Sequence, residues 1–335
     1  MLSQEIKQKA LQLGYLACGI IPINIFDDYK KHLDERVKSF PESKELYDPL
    51  YDNVCHPENA KSVIVCTQRY NQYNIPKSLN GLYGKCYLFD SRVQYSTEYR
   101  VAAEFNEYIK LCGINILQCR VPDRLAAAKA GLGKIARNNF LYDPEHGSYI
   151  WINALVIDKE LEYDDIQEDY LLPACNDGCG ECIKACPTKA LSGKYSMNRG
   201  KCITHLLLTK NIVDDNTRTQ MGLWIYGCDK CQDACPINKD KFNEADEFPL
   251  LKEYEEYLSP QRILEMDDDT YLNIVNPRFW YAGKDGLLVW KRNALLDMIN
   301  SGDKKYFPFI KKYSEHTDMQ LRETALWGCD KLGLR

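Results

Sequence analysis

The stretch Cys175-Asn-Asp-Gly-Cys179-Gly-Glu-Cys182-Ile-Lys-Ala-Cys186-Pro187 decides the fold of this 335-residue chain. A second stretch, Cys228-Asp-Lys-Cys231-Gln-Asp-Ala-Cys235-Pro236, has the same Cys-x₃-Cys-Pro ending, and Cys202 lies alone between the two. Eight cysteines are the number of thiolates that two four-iron clusters require. The short spacings let successive thiolates converge from one turn of chain, and each proline ends the turn. The pattern predicts a redox protein with two [4Fe–4S] clusters.

The order of the cysteines also predicts how they are shared. In two-cluster ferredoxins the cysteine that precedes proline ligates the other cluster. By this rule, one cluster is held by Cys175, Cys179, Cys182 and Cys235. The other cluster is held by Cys202, Cys228, Cys231 and Cys186.

Two other uses of these cysteines are open at this point. Disulfides suit a secreted protein, but seven further cysteines are scattered along the chain and no apolar signal core opens it. Zinc accepts Cys-x₂-Cys pairs, although it does not call for paired Cys-x₃-Cys-Pro runs. Cysteine-rich chains of this kind are typical of a reducing cytoplasm, which is the location that we expect.

Composition describes an ordinary globular protein. Hydrophobic residues make up 45% of the chain and charged residues 27%, so a sizeable core can form. The net charge of −5 gives no overall attraction to nucleic acid. No apolar run approaches the ~18 residues of a membrane span, so we expect no membrane partner.

The chain divides into three predicted parts. Residues 1–164 alternate between helical and strand signals, which predicts an α/β domain with a central sheet and flanking helices. We expect strands over 15–21, 62–66, 114–119 and 149–157, and helices before Gly14, over 96–112 and over 123–130. Residues 165–245 form the double-cluster module, of ferredoxin-like type.

Residues 246–335 form a helical C-terminal segment. Helices are predicted from Leu287 past Leu295, over 307–313 and over 319–332. They resemble one helical-hairpin repeat of the HEAT kind. A single repeat cannot bury its own apolar face, so we expect this segment to pack on the cluster module.

Several blocks resemble the epoxyqueuosine reductase family and, more distantly, the iron–sulfur half of reductive dehalogenases. They cover most of the chain and are most specific in the cluster region. The blocks are Pro57–Val65, Asp123-Arg124, Ala130-Gly131-Leu132-Gly133, Arg137-Asn138, Gly147-Ser148-Tyr149, the eight cysteines with Tyr226–Pro236, and Arg292-Asn293-Ala294.

The resemblance implies a cobalamin held base-off between the α/β domain and the cluster domain. The clusters would reduce its cobalt, and the cofactor would then reduce the substrate, which in this family is a modified tRNA wobble base. The cofactor contacts implied are Gly131, Leu132, Gly133, Asn138, Gly147 and Ser148. For Gly131 the alternative is a helix C-cap, because glycine readily adopts the backbone conformation that ends a helix.

Three positions depart from the family pattern. The family places an aspartate, its presumed proton donor, thirteen residues before the Ala of Ala-Gly-Leu-Gly, and that position is Leu117 here. Its Lys-Asn is Arg137-Asn138, which keeps the charge but changes the donor geometry. The carboxylate expected seven residues after Gly147 is Ala154. The substrate half is therefore altered, while the cluster half is intact.

The proton donor must then lie elsewhere. The candidates for catalytic residues are Tyr70, Asp123 and Arg137. Tyr70 and Asp123 are placed near the predicted sheet edge, and a cation such as Arg137 favours the phenolate of a tyrosine beside it.

Two hypotheses for function follow. The first is an iron–sulfur reductase that passes electrons from ferredoxin or flavodoxin, through both clusters, to a corrinoid that reduces an unidentified small-molecule or modified-nucleoside substrate. The alterations argue against a tRNA substrate without removing it as a candidate. The second is an electron-transfer or corrinoid-reactivating protein with no organic substrate of its own.

Overall fold

The computed structural model describes residues 2–175, 178–193, 195–210, 213–242 and 245–334. The outer limits of the predicted parts, residues 1 and 335, lie outside this range, and the division into three parts remains a prediction. Among the described residues, no helix combines the length and the apolar character needed to cross a membrane.

The N-terminal part is built on an antiparallel sheet of three strands. The described residues of this part form five strands, of which the first, second and fifth make this sheet. They are β1 (Ala17–Pro22), β2 (Ser62–Arg69), β3 (Lys134–Ile135), β4 (Leu141–Tyr142) and β5 (Ile150–Ile157). Strand β2 lies between β1 and β5, with Cys18 opposite Cys66 and Val65 opposite Ala154. The two short strands β3 and β4 pair separately as a hairpin. Three of the four predicted strands are therefore present.

The remaining predicted strand, over 114–119, is wrong. Ile116 makes a single bridge to Ile157 at the edge of β5. On one side of it, the Asn115 N–H donates to the side chain of Asp158 rather than to a neighbouring strand (3.0 Å). Two backbone bonds flank the bridge, from the Leu117 N–H to the Val156 carbonyl and from the Asp158 N–H to the Asn115 carbonyl, and the pairing ends there.

Helices cover both faces of the sheet, which confirms the α/β architecture. In this part they are α1 (Leu2–Leu13), α2 (Asp27–Ser39), α3 (Lys44–Tyr47), α4 (Lys85–Leu88), α5 (Thr97–Leu111) and α6 (Asp123–Lys129). Helices α1 and α5 pack on one face through Ile6 and Phe105, and α6 packs on the other through its alanines. Ser96 caps α5 as predicted, because its Oγ accepts from the Tyr99 N–H (3.0 Å).

Short helices carry the cysteine-rich region. They are α7 (Glu181–Ala185), α8 (Ile203–Leu208), α9 (Asp215–Gln220) and α10 (Lys230–Asp233). The C-terminal helices are α11 (Leu251–Glu255), α12 (Pro260–Glu265), α13 (Asp268–Thr270), α14 (Leu287–Ser301), α15 (Phe307–Tyr313) and α16 (Met319–Leu332). The last three confirm the helices predicted there, while their kinship to HEAT repeats remains a prediction.

One apolar core joins segments that are far apart in sequence. Buried aromatic residues from 70–89 pack with residues of 248–329, including Phe279 and Trp290. Tyr83 lies 6.1 Å from Trp290 and 5.8 Å from Phe279, measured between ring centroids. The segment after β2 is therefore held by the C-terminal helices rather than by the sheet.

Candidate functional site

The first group of cysteines surrounds α7. Burial raises the pKa of the Cys182 thiol to about 11, and the neighbouring sulfurs of Cys235, Cys175 and Cys179 add to the effect. Because these electrostatic contributions act only at short range, the four side chains lie together. The structure thus brings Cys235, from the end of α10, to the group that contains Cys175, Cys179 and Cys182.

The second group lies at the start of α8 and α10. Burial raises the pKa of Cys228, with further increases from Asp229, Cys202 and Cys186. Burial also raises the pKa of Cys231, where Cys228 and Cys202 contribute. The structure therefore places Cys186 with the second group, although its neighbour in sequence, Cys182, belongs to the first.

Backbone N–H groups point at several of these sulfurs. The Ala190 N–H donates to the Cys186 Sγ at 3.3 Å. Burial raises the pKa of Cys202, and bonds from the His205 and Thr204 amides act in the opposite direction. Donors of this kind stabilise the thiolate form, which is the form that binds a metal.

Arg137 belongs to this region rather than to the substrate side. Its guanidinium donates to the Cys179 carbonyl. Its Nε is buried and has no hydrogen-bond partner among the described residues. Burial raises the pKa of Cys175 and Arg137 acts in the opposite direction, so its positive charge lies beside the first group. Such a donor fits a cluster that carries negative charge.

A cavity of about 490 Å³ opens beside the second cysteine group. It is lined by Gln68, Tyr70, Cys86, Tyr87, Ser91, Arg92, Tyr99, Ala102, Ala103, Asn106, Asp123, Arg124, Phe140, Leu141, Ser148, Ile150, Trp151, Ile152, Asn153 and Tyr281. The volume and the mixture of aromatic and polar walls are typical of a ligand site. The buried Oδ1 of Asn106 has no hydrogen-bond partner in the described part of the chain, so this wall carries an acceptor that a ligand can use.

Asp123 supplies a titratable group to the cavity. It is the first residue of α6, and its side chain is exposed at the cavity wall. Partial desolvation by the adjacent protein raises its pKa to about 6, while the guanidinium groups of Arg124, Arg120 and Arg92 act in the opposite direction. Asp123 can therefore hold and release a proton near neutral pH.

Arg92 forms the cationic side of the cavity. It makes two bonds of 2.8 Å to the Asp90 carboxylate, which fix its orientation. Its guanidinium lies 5.5 Å from the Trp151 ring, 4.8 Å from the Trp280 ring and 5.0 Å from the Tyr281 ring. This arrangement presents a positive charge and flat apolar surfaces to a bound molecule.

Helix α4 separates the cavity from the second cysteine group. Cys86 and Tyr87 face the cavity. The Tyr87 ring packs against Gly227, next to Cys228, where a Cβ atom would collide with it. The Lys85 N–H donates to Asp229 (2.7 Å) and fixes α4 to the same loop. One side chain thus contacts both the cavity and the loop that carries a cluster cysteine.

Tyr70 and Ser148 belong to a buried polar network. The Gln232 Nε2 donates to the Tyr70 hydroxyl (3.3 Å) and to the Ser148 Oγ (2.9 Å), and Asn238 also donates to the Ser148 Oγ (2.8 Å). Burial raises the pKa of Tyr70 well above its ordinary value. The network ties the sheet to the loop around Cys235.

Most of the other predicted cofactor residues have contacts outside the cavity. Gly131 ends α6 with a positive φ of 78°, as the C-cap alternative requires. Leu132 packs beside it. Gly133 lies against β4, where a Cβ would come within 2.6 Å of the Tyr142 carbonyl oxygen.

Asn138 and Gly147 connect the β3–β4 region to the second cysteine stretch. The Asn138 Nδ2 donates to the Cys231 carbonyl (3.1 Å) and to the Tyr142 hydroxyl (2.8 Å). Gly147 has a φ of +62°, and a Cβ there would collide with Asn238. Of the predicted catalytic and cofactor residues, the cavity therefore contains Tyr70, Asp123 and Ser148.

The two positions that lack the family's carboxylates are apolar in the structure as well. Leu117 and Ala154 are partly buried and pack against the α6 side of the sheet. Neither lies among the cavity-lining residues.

Sequence reasoning missed the residues that form much of the cavity wall. Cys86 and Tyr87 lie on the four-residue helix α4, Arg92 lies in a turn and Tyr281 in a single 3₁₀ turn, and these elements are too short for a periodic pattern to mark them. The only available signal is the density of aromatic residues between 70 and 95.

Comparison with known proteins is consistent with this geometry. Residues 174–238 match the family described as a 4Fe-4S double cluster binding domain, which confirms the predicted cluster cofactors. An epoxyqueuosine reductase of Staphylococcus aureus is 32% identical over 217 residues, covering 63% of this chain and 53% of the relative. The chain thus spans about half of that relative's length.

Other relatives match over nearly their whole length. The epoxyqueuosine reductase of Cellulophaga algicola is 30% identical over 299 residues, which is 84% of this chain and 95% of the relative. A crystal structure of epoxyqueuosine reductase with an epoxyqueuosine-modified tRNA-Tyr stem loop has a TM-score of 0.77 at 24% identity, covering 99% of this chain and 90% of the other. This chain therefore belongs to the epoxyqueuosine reductase family.

Proposed function

We propose that this chain is a reductase that moves electrons through two [4Fe–4S] clusters to a corrinoid in the cavity, where a small-molecule or modified-nucleoside substrate is reduced. The observation that carries the proposal is that helix α4 contacts both the cavity and the loop that holds Cys228. Cys86 and Tyr87 line the cavity, and the same helix packs on Gly227–Asp229 beside a cluster cysteine.

The residues that would hold the cofactors follow from the geometry. One cluster would be held by Cys175, Cys179, Cys182 and Cys235, and the other by Cys186, Cys202, Cys228 and Cys231. The cavity walls, with the Asn106 Oδ1 that no described residue satisfies, would hold part of the corrinoid. When bound, these groups supply one-electron transfer and a strongly reducing cobalt centre.

The protein side chains supply the proton and the orientation. Asp123 carries a proton below about pH 6 and faces the cavity, so it takes the role of acid that Leu117 cannot. Arg92 and the rings around it would orient a planar or anionic group. Tyr70, which is fixed by Gln232, has a structural role in this proposal.

The choice of substrate comes from the relatives. One solved relative contains an epoxyqueuosine-modified tRNA stem loop, and a modified nucleoside in RNA is the first candidate here as well. We place the reaction in the cytoplasm, with ferredoxin or flavodoxin as the electron donor.

The second candidate function is an electron-transfer or corrinoid-reactivating protein. Leu117 and Ala154, two apolar residues at positions where the family carries carboxylates, favour it. The titratable Asp123 in the cavity favours an enzyme.

Anaerobic reconstitution tests the proposal and separates the two candidates. We expect about eight irons per chain, as two four-iron clusters require, and a change in the visible spectrum of cob(II)alamin when the protein binds it. The loaded, reduced protein should then be mixed with an epoxyqueuosine-containing tRNA stem loop, with an unmodified stem loop as the control.

Each outcome has a defined meaning. Reoxidation and product formation with the modified stem loop alone support the enzyme. Tight corrinoid binding without turnover supports the reactivating protein. If no corrinoid binds, the proposed corrinoid site in the cavity is wrong, even when the protein contains eight irons.

A further inference from the structure

The loop around Cys179 has open space beside it in the part of the chain that the structure describes. Gly178 and Gly180 flank Cys179, and a Cβ atom at either glycine would have no described atom within 4 Å. The Cys179 side chain itself is half-buried. Electron transfer between two proteins requires a short distance between their cofactors, and this loop allows a partner to approach closely.

The chain around this loop is basic, although the protein as a whole is acidic. From Cys175 to Cys202 the sequence has five basic residues and two acidic ones, Asp177 and Glu181, whereas the whole chain has a net charge of −5. Lys184, Lys189 and Lys201 are exposed. The positive charge is thus a local feature of the region between two cluster cysteines.

The basic residues lie on elements that pack together. Lys184, on α7, is close enough to Cys179 for the two to interact electrostatically. The turn after Leu191 packs on α7, since a Cβ at Gly193 would lie 3.2 Å from the Ile183 side chain. The Asn198 N–H donates to the Ala190 carbonyl (2.7 Å), which connects Lys189 to the turn before Lys201.

Nearby acidic groups offset this charge only in part. Glu181 pairs with Lys184 at 2.8 Å. Glu42 accepts a bond from Asn198 at 2.7 Å. Lys189 and Lys201 have no ion pair with another described residue, so their charges are available to a partner.

The second cysteine group lies at the other end of the proposed electron path, beside the cavity. Tyr87 is within electrostatic range of Cys202 and packs on Gly227, so the second cysteine group faces the cavity. The Cys179 loop belongs to the first group. The two groups therefore have distinct surroundings, one at the protein surface and one at the cavity wall.

We infer that the Cys179 loop, with Lys184, Lys189 and Lys201 around it, is the docking face for a small acidic electron-carrier protein whose one-electron cofactor lies near its surface. The inference rests on the proposed function. In the step, the reduced carrier loses one electron and the first cluster gains it, and no bond or proton changes place. Complementary charge accelerates such encounters and weakens with salt.

A charge-reversal experiment tests this face. The triple variant Lys184→Glu, Lys189→Glu, Lys201→Glu is compared with Lys304→Glu, Lys311→Glu, Lys312→Glu, which makes the same change in net charge on exposed lysines of the C-terminal segment. Both are reconstituted with clusters, and bleaching of the cluster absorbance is followed in stopped flow. Reduced flavodoxin serves as the carrier and dithionite as the small reductant.

We expect the first variant to be reduced by flavodoxin about tenfold more slowly, or slower still, at low ionic strength. Rising salt should remove the difference, the control variant should match the wild type, and dithionite should reduce all three at one rate. The dissociation constant of the flavodoxin complex, measured without turnover, should rise in parallel.

A second variant tests whether a partner must approach the Cys179 loop closely, and it does so without changing the charge. Gly180 has a φ of −141°, which any residue can adopt, so Gly180→Trp can add bulk over Cys179 without backbone strain. Its reduction by flavodoxin should slow, while dithionite reduction should stay unchanged. Equal rates for wild type and both loop variants would overturn the inference. Failure of the proposed function would appear differently, as clusters that dithionite cannot reduce or a cavity that binds no corrinoid.

Discussion

Asp123 shows how surroundings can give one residue a function that its sequence position does not reveal. The Asp123 side chain is exposed at the cavity wall, and partial desolvation by the adjacent protein raises its pKa to about 6, although three arginines act against this effect. The family's expected donor position, Leu117, packs in the core instead. A proton donor has therefore to be sought among the residues that share the cavity, and Asp123 is the carboxyl group that lines it.

Replacing Asp123 should slow turnover selectively. We expect Asp123→Asn to lower kcat by about 100-fold, because general acids contribute on this scale. The wild-type rate should fall as the pH rises through about 6, since the acid form is lost there, and the variant should lose this dependence. Corrinoid binding, followed by the visible spectrum, should stay unchanged. The exposed Asp285→Asn is the control, and a variant that retains the pH dependence would exclude Asp123 as the donor.

The buried network around Gln232 is also a residue-scale feature. Gln232→Ala should lower the free energy of unfolding by about 2 kcal/mol, because the buried Tyr70 hydroxyl and Ser148 Oγ lose a donor. Chemical denaturation of the reconstituted protein measures this. Gln4→Ala, on the exposed face of α1, should change stability by less than about 0.5 kcal/mol. Equal effects of the two substitutions would argue against the network.

At the scale of elements, local signals were reliable where a cap or a periodic face defines the element. Ser96 marks the start of α5, and the apolar spacing after residue 286 marks the three last helices. The strand expected over 114–119 failed because pairing depends on a distant edge. There, the Asp158 side chain takes the N–H of Asn115. The spacing of residues 114–119 contains no information about this side-chain acceptor, which replaces a strand partner.

Helix α14 contains a buried carboxyl group, and this makes its stability depend on pH. Burial raises the pKa of Asp297 to about 7, against an opposing effect of Lys305. In the unfolded chain an aspartate titrates near about 3.9. The stability that the neutral form contributes is therefore complete below about pH 4 and is lost as the pH rises through about 7.

Asp297→Asn removes this dependence. Relative to the wild type, the variant should gain about 1 kcal/mol in free energy of unfolding between about pH 6 and about pH 8. Denaturation curves at the two pH values give the difference directly. Asp285→Asn again serves as the control, because that side chain is exposed. A gain that is the same at both pH values would contradict the assignment to Asp297.

At the scale of the whole molecule, the cysteine positions could be read from the sequence because their spacing is local. The cavity could not be read in the same way. Its walls come from β2, α4, α5, the start of α6, β5 and Tyr281, and only tertiary packing brings them together. The predicted boundary at residue 164 also does not follow the core, since residues 70–89 pack with residues 248–329.

This shared core predicts how fragments behave. A fragment of residues 1–164 should fail to form a cooperative fold, because Tyr73, Tyr83 and Phe89 lose their apolar partners. We expect it to bind a hydrophobic dye and to unfold without a sharp thermal transition. Mixing it with a separately expressed fragment of residues 165–335 should restore part of the transition. A fragment that melts sharply on its own would show that the first part is independent.

The shared core also sets the order of events during synthesis. The cavity wall after β2 is translated well before the helices that support it. A nascent chain therefore presents an unfinished binding site until residue 329 has emerged. Any ligand that needs the completed wall can be held only after that point of synthesis.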